Sequence, residues 1–535
     1  MLKKTLFLTI FFFFAFPSFA YAATYYVATN GNNSNNCTSL TSPCLTISSA
    51  VAKLKEAGDT LYIRGGIYHE SVYISANGIS TNPITVANYN SEEVIIDGSA
   101  GDIRYSIPTR QGGGALVTLR GNYITVRNLT TRYSGDRGFN VLGEHDTVEN
   151  SYTYENWGSG IFLNSNYNTA QGNKVRSCSM KYYYYVYPDP AYPGYGDWST
   201  GITCARYPSH CTIRNNTSWD NWGHGISSYE AEYTTIEGNT SYNNMKLNFY
   251  ISDAKYIVTK NNLSYCTPGN SRNLLADNFQ YGIYVGDELG HPDPFPNGTG
   301  RVPSSDNIFV NNLSMGCDKN LSTKTAVSNN NLFAYNTLVN ADANGDANLE
   351  FRSGSCTNCR FINNIVVQEN TTPIALNSGS GMTFSHNLWS RTPPDYFTIM
   401  DSKPVFANPL LAKTGQVVAG LLTPDYFKLL SNSPAIDNAT PLMEVSEDFF
   451  HSPRGSAPDI GAYEYVGSIS TPTPIPCLIE PHGDANCDGV INILDFEIWR
   501  REFLGIDSTT KADFDSSGGV TILDFEIWRR GFLGQ

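Results

Sequence analysis

Residues 212–219 read TIRNNTSW, residues 235–242 read TIEGNTSY and residues 258–265 read VTKNNLSY. Each octet runs from β-formers through asparagine to a polar-aromatic end, and the three begin at even spacing, on Thr212, Thr235 and Val258. The pattern extends in both directions. Its asparagines are Asn128, Asn150, Asn173, Asn216, Asn239, Asn262, Asn312, Asn336, Asn364 and Asn387. The steps between them are 22, 23, 43, 23, 23, 50, 24, 28 and 23. The unit is therefore about 23 residues long, a period in the solenoid range, interrupted by two long insertions.

Each unit also carries a second short strand: Gly138-Phe139, Gly160-Ile161, Gly201-Ile202, Gly225-Ile226, Asn248-Phe249 and Gly282-Ile283. Short, regular strands without helices between them predict an all-β solenoid, in which each turn adds one strand to each of several parallel sheets spaced roughly 4.8 Å apart. Asparagine suits the recurring corner, since it tolerates left-handed backbone and its amide can hydrogen-bond along a ladder. The open end of such a stack invites edge-to-edge association. Apolar residues at helical spacing in Leu45–Ala57 predict a short amphipathic helix that caps the first coil, with the stack beginning near Thr60-Leu61-Tyr62-Ile63. Residues 391–466 lose the repeat and are expected to fold over the last coil.

The opening Tyr25-Tyr26-Val27-Ala28-Thr29-Asn30-Gly31, then Gly58-Asp59-Thr60-Leu61-Tyr62-Ile63-Arg64-Gly65-Gly66 and the asparagine repeats, resembles right-handed parallel β-helix proteins, notably secreted polysaccharide lyases. The resemblance covers about residues 24–390 and implies that fold and a carbohydrate-directed activity. Pro458-Asp459-Ile460-Gly461-Ala462-Tyr463-Glu464 is similar to a closing segment of secreted bacterial β-helix proteins.

Composition agrees with an extracellular setting. The 535 residues include 35 Lys+Arg against 49 Asp+Glu, a net charge of -14, with 34 tyrosines. That balance argues against phosphate-backbone binding, and 41% hydrophobic residues argue against disorder. Lys3 and Lys4, an apolar run from Leu6 to Phe16 and Ala20-Tyr21-Ala22 form a secretory leader over residues 1–22. No later stretch has the ~20 apolar residues of a membrane span, so the protein is expected to be secreted, with attachment to a cell-surface scaffold as one destination. The 11 cysteines suit oxidising surroundings. Cys37/Cys44, Cys204/Cys211 and Cys477/Cys487 are close enough in sequence to bridge, although connectivity is not readable from spacing. Cys356 and Cys359 form a lone CxxC, which favours a local disulfide or buried thiols over zinc.

A Thr-Pro-rich linker over 467–481 separates the β-helix (23–390) and its closing segment (391–466) from a second domain, 482–535. There ILDFEIWRREFLG (493–505) returns as ILDFEIWRRGFLG (522–534), each preceded by an acidic loop. The first loop offers Asp484, Asn486, Asp488, the Val490 carbonyl, Asn492 and Asp495; the second offers Asp513, Asp515, Ser517, the Gly519 carbonyl, Thr521 and Asp524. Alternating oxygen donors with Gly489 or Gly518 at the sharp turn predict two bound calcium ions. The duplicated loop-helix pair resembles a dockerin module, which implies a cohesin-bearing scaffold as partner; the competing reading is a calcium-stabilised tail. Trp499, Arg500, Arg501, Trp528, Arg529 and Arg530 suit a protein interface, unless the aromatics are core.

Insertions over 179–199, 267–278 and 286–306 flank the Gly-Ile strands and predict a cleft over residues 150–306. Tyr183, Tyr185 and Trp198 in the first insertion, with Trp222 nearby, offer flat faces for stacking on sugars. Five residues beyond each Gly position stand Arg206, Glu230, Asp253 and Asp287 on successive turns. Acids that close raise one another's pKa or share a cation, so one can act as an acid, or a further calcium can join them. His224 and Lys246, one turn apart, are candidate bases. A solvated acidic edge with a structural histidine is the competing reading. Calcium-dependent β-helix pectate lyases carry a catalytic lysine in the column just after the Gly-Ile pair, which is here Asn140, Phe162, Thr203, Ser227, Tyr250 and Tyr284, so that mechanism does not transfer. The expectation is a polysaccharide-degrading hydrolase or lyase, or else a non-catalytic carbohydrate-binding or structural protein on the same face.

Overall fold

A computed structural model describes residues 22–99, 115–180, 199–270, 279–287, 303–324, 327–352, 354–394, 399–466, 483–485, 491–505, 511–515 and 517–534. The leader up to Tyr21, Tyr183, Tyr185, Trp198, the linker, Cys477, Cys487, Asn486, Asp488 and Val490 lie outside them. The chain divides into two units, Met1–Tyr465 and Val466–Gln535.

Among the described residues of the first unit the chain winds through three long parallel sheets and a further two-stranded one, Val327–Asn329 with Ser355–Thr357. The first sheet has 13 strands, from Thr24–Val27 to Met382–Ser385. The second has 11, from Val72–Ile74 to Ala375–Asn377, and the third has 13, from Gly66–Tyr68 to Val405–Phe406. Within each sheet a strand pairs with the matching strand of the next coil, in parallel and in register, for example Ile213↔Ile236 and Ile226↔Phe249. This is a parallel β-helix. The inward positions make one continuous core, including Val126, Ile161, Ile202, Ile226, Ile283 and Leu321. Among the described residues no helix is long and apolar enough to cross a membrane.

The repeating asparagine resolves into two adjacent columns. A buried ladder runs from Asn173 through Asn216, Asn239, Asn262, Asn312, Asn336 and Asn364 to Asn387, each side-chain amide donating to the next Oδ1 at 3.0 Å, and the ladder ends on Asp401 Oδ2 at 2.9 Å. Asn128 and Asn150, expected to be its first members, sit one residue earlier, with Leu129 and Ser151 in the ladder position. They belong to a left-handed corner column, with φ 57° and 49°, shared with Asn215, Asn261, Asn311 and Asn363. Backbone freedom and side-chain bonding, both expected of one asparagine, are divided here between neighbouring residues.

Helix α1, Ile47–Val51, is shorter than the 45–57 expectation. Asp59 Oδ2 accepts from the amides of Lys55 and Glu56 at 2.8 and 3.0 Å and turns the chain early. The stack also starts earlier than Thr60, since Thr24–Val27 already pairs with Thr60–Ile63. Residues 399–466 do more than follow the last coil. They return along the third sheet, where the Gly420 amide donates to Tyr265 Oη (2.8 Å), Tyr335 Oη donates to the Thr440 carbonyl (2.8 Å) and Asn311 Nδ2 to the Glu447 carbonyl (2.8 Å). Buried Arg454 holds this segment, bonding Glu464 and Asn311 Oδ1 at 2.8 and 3.0 Å over the Tyr335 ring.

Disulfides join Cys37–Cys44, Cys204–Cys211, Cys266–Cys317 and Cys356–Cys359, which answers the lone CxxC without zinc. Cys178 is free, and burial pushes its thiol up to about 11. In the second unit, helices α2 (Ile493–Phe503) and α3 (Ile522–Leu533) each begin in a capping box, with Asn492 and Asp495, and Thr521 and Asp524.

Candidate functional site

The outer face of the second sheet is set by its register. Strands Thr200–Ala205, His224–Tyr229, Leu247–Ser252, Tyr281–Gly286 and Lys319–Lys324 stack in order. Inward Ile202, Ile226, Phe249, Ile283 and Leu321 leave Thr203, Ser227, Tyr250, Tyr284 and Ser322 as an outward column. Rings cover its middle: Tyr250 lies 6.2 Å from Tyr229, 5.9 Å from Tyr284 and 4.6 Å from His224.

Arg206, Glu230 and Asp253 follow directly on successive strands of this sheet, each at positive φ (74°, 50° and 50°), and Asp287 follows the next. The expected row of one cation and three acids is therefore assembled at one corner. Glu230 and Asp253 are buried. Ser252 Oγ donates to Asp253 Oδ2 at 2.8 Å and the Ser304 amide to Asp287 Oδ1 at 2.6 Å. Arg206 lies over the Phe162 ring at 5.6 Å, with Arg137 at 4.2 Å from the same ring. Trp222 is half-buried, its amide bonded to the Cys178 carbonyl at 2.8 Å.

His224 is a poor candidate base. Burial, then the nearby Lys246 charge, lowers it to about 3, so at neutral pH it is an uncharged imidazole with little affinity for a proton. Lys246 sits opposite Gly223, with its ammonium over the Phe279 ring at 4.2 Å.

The structure adds a charged group that the repeat hid. Lys319 continues the column of Thr200, His224, Leu247 and Tyr281, and Glu350 continues that of Tyr284 and Ser322. Lys319 Nζ contacts Glu350 at 2.6 Å and Asp346 at 2.9 Å, and Arg352 Nε contacts Glu350 at 2.7 Å. Burial opposes the Lys319 ammonium, yet hydrogen bonds to Glu350 and Asp346 outweigh it and hold the group above its ordinary pKa. Lys319 is thus a fixed cation and no base. Its coil carries Asn320-Leu321 where earlier coils carry Gly-Ile; extending the column by strand spacing alone would have found it.

In the second unit, carboxylate oxygens of Asp513, Asp515 and Asp524 lie within 4.8 Å of one another, the one such convergent set of three among the described residues. Gly518, at φ 94°, makes the sharp turn, and buried Asp524 also accepts from the Thr521 amide at 2.7 Å. An all-oxygen set of this kind fits a hard cation. In the first loop Asp484, Asn492 and Asp495 are described, Asp495 accepting from the Asn492 amide at 2.8 Å. The expected aromatic interface is corrected: Trp499 and Trp528 are buried, their indoles donating to the Thr521 and Asn492 carbonyls at 2.9 and 3.0 Å. Each tryptophan locks the other repeat, while Arg500 and Arg529 pair with Glu497 and Glu526.

Two family models match the first unit. One, described as Pel9A-like, right handed beta helix region, covers residues 25–188, and the other, described as right handed beta helix region, covers 113–290. The fold is a right-handed parallel β-helix. Among curated proteins, pectate lyase L of Dickeya dadantii (strain 3937) is 30% identical over 155 residues, which is 27% of this chain and 35% of that protein. The chain thus spans about a third of the length of that relative. The uncharacterized protein YwoF of Bacillus subtilis (strain 168) is 38% identical over 84 residues, 16% of this chain and 18% of YwoF. Among solved structures, pectate lyase Pel9A superposes with a TM-score of 0.47 at 18% identity, covering 83% of this chain and 97% of that one.

Proposed function

We propose that the protein is a secreted enzyme that degrades a polysaccharide on the outer face of the second sheet, and that its dockerin-like module binds two calcium ions and docks it to a cohesin-bearing scaffold. The observation that carries the catalytic half is the corner row: Glu230, Asp253 and Asp287 on three successive coils, beside the tyrosine-covered face. Successive coils hold Glu230 and Asp253 ~4.8 Å apart at the backbone, close to the separation of about 5–5.5 Å between the carboxyls of retaining glycosidases. In that role one carboxyl protonates the leaving oxygen and the other attacks the sugar. Neutral His224 positions rather than takes protons, and Arg206 supplies charge to an anionic substrate. The name of pectate lyase L supports elimination on a uronate polymer as the competing chemistry, with the same face as its site.

A non-catalytic reading, in which this face only binds a glycan, is favoured by one observation: Lys319, in the column of His224 and Tyr281, is locked by Glu350 and Asp346. For the module, Asp513, Asp515, Ser517, the Gly519 carbonyl, Thr521 and Asp524 would hold the second ion, and Asp484, Asn486, Asp488, the Val490 carbonyl, Asn492 and Asp495 the first.

The deciding experiment offers neutral and uronate polysaccharides to the mature protein, with calcium and then chelator. New reducing ends without unsaturated product establish hydrolysis; unsaturated product establishes elimination, and loss of it with chelator alone adds a cleft calcium. Binding with neither product leaves the non-catalytic reading.

A further inference from the structure

Helix α1 and the first strand of the second sheet, Val72–Ile74, border an open groove of about 590 Å3 at the N-terminal end of the solenoid. Val51, Leu54 and Lys55 line it from the helix side, and Tyr73, Ser75 and Asn77 from the strand side. Its volume lies in the range of about 300–1,000 Å3 common to small-molecule sites. Tyr73 heads the outward column that continues through Thr118, Asn140, Phe162 and Thr203 to Ser227. Steps of ~4.8 Å along that column set the groove roughly 24 Å from the coil that carries Glu230.

Charge distinguishes this groove. The chain carries 49 Asp+Glu against 35 Lys+Arg, yet two cations stand here whose side chains have no ion-pair partner among the described residues. They are Lys55 on the helix side and Arg120 on the sheet side. The Arg120 guanidinium lies 5.5 Å from the centre of the Tyr73 ring, and Tyr73 is 46% exposed. That stacking orients the guanidinium without neutralising it. Glu70 reaches Ser48 at the edge of the groove, but both its oxygens are engaged. They accept from the Ile47 and Ser48 amides at 2.8 Å and from the Ser48 hydroxyl. Asn77 Oδ1 accepts from the Asn122 amide at 2.9 Å, which leaves its side-chain nitrogen to donate.

We infer that this groove binds a uronate segment of an acidic polysaccharide, at a site separate from the corner row of Glu230, Asp253 and Asp287. Sugar carboxylates supply the partners that Lys55 and Arg120 lack, and a pyranose C–H face covers the Tyr73 ring. Sugar hydroxyls meet the Ser75 hydroxyl and the Asn77 side-chain nitrogen, over an apolar floor of Val51 and Leu54. Lys55, Tyr73, Ser75, Asn77 and Arg120 are all exposed, so a ligand reaches each of them from solvent. A neutral sugar leaves both cations unanswered, and both repel a bare metal ion.

The test titrates the full-length protein with trisaccharides of galacturonate, mannuronate and guluronate, followed by calorimetry and saturation-transfer NMR. Cellotriose, xylotriose, sodium acetate and sodium sulfate form the control arms. At least one acidic trisaccharide is expected to bind saturably, and more weakly as salt is raised. Lys55→Ala, Arg120→Ala and Tyr73→Ala are each expected to weaken it about ten-fold or more, with Lys55→Arg close to the parent protein. Melting temperature should hold in the two charge-removing variants, since both side chains are exposed. No saturable acidic trisaccharide, equal binding of the neutral ones, acetate or sulfate binding as tightly, or an affinity indifferent to both Lys55→Ala and Arg120→Ala overturns the inference. Loss of turnover in Glu230→Gln with this binding intact supports two separate sites.

Discussion

Asp146 stands in a buried row of side chains that the next coil fills with Asn168. Its Oδ1 accepts from the Ile124 amide at 2.8 Å, as Asn168 Oδ1 does from the Asp146 amide. Asn168 also donates to the Gly143 and Ser165 carbonyls, whereas Asp146 Oδ2 has no partner among the described residues. Burial pushes Asp146 up to about 8 from 3.8, and burial lowers His224 to about 3 from 6.5. The two act on stability with opposite signs. The folded state keeps the Asp146 proton that the unfolded chain releases, so that stability is full below pH 4 and is lost as pH rises to about 8. The folded state refuses the His224 proton, so stability is lost as pH falls from 6.5 toward 3. Together they leave a plateau between pH 4 and 6.5, where the two slopes cancel. Asp146→Asn should raise the melting temperature at pH 8 and remove the decline above pH 6.5, by about a few kcal/mol; an unchanged alkaline limb in urea titrations contradicts this. At the site, Glu230→Gln and Asp253→Asn should each cut polysaccharide turnover by about 100-fold or more with folding intact, and unchanged rates would sink the paired-carboxyl reading. These acids were legible because the repeat places like positions in one column. The pKa of His224 was not, since it depends on what buries the ring.

At the scale of elements, the asparagine ladder couples coils through side chains that never reach solvent. Asn239 accepts from the Asn216 amide and side chain, and donates to the Ile213 carbonyl and Asn262. Asn239→Ala strands several buried groups and should cost about 2–4 kcal/mol in chemical denaturation, whereas the neighbouring corner change Gly238→Asn, which restores the commoner corner residue at φ 65°, should cost far less. Equal losses would mean that the ladder adds nothing beyond the corner. The strand period and the columns were readable from the chain, but the division into ladder and corner was not. Adjacent Asn-Asn pairs such as Asn215-Asn216 satisfy both roles at once, and only pairing shows that Asn128 and Asn150 lie in the outer one. In the second unit, α3 is capped by Thr521, whose partner in the capping box is Asp524, also a member of the acidic set. Asp524→Ala should therefore remove both a cap and a ligand, lowering calcium affinity and helical circular dichroism together; loss of neither would exclude the loop as a calcium site.

For the whole molecule, the division into two units predicts two separable melting events. Chelator should lower the transition of residues 466–535 and leave that of the β-helix in place, and a calcium response confined to the β-helix would contradict the proposed module. The short asparagine repeat, a Gly-Ile strand in most of its units and a duplicated acidic loop with its helix were all present in the chain read as text. Those features determine a stacked parallel β-helix and a separate two-loop module, because each rests on neighbours within about one turn or one loop. The tertiary structure decided the rest. It sent residues 399–466 back along the third sheet, buried Trp499 and Trp528 against opposite repeats, and brought Lys319 to Glu350. It also opened the groove beside Tyr73. These are contacts between segments that share no local period, such as Tyr265 with Gly420, 155 residues apart, so packing and charge burial select them and sequence spacing does not.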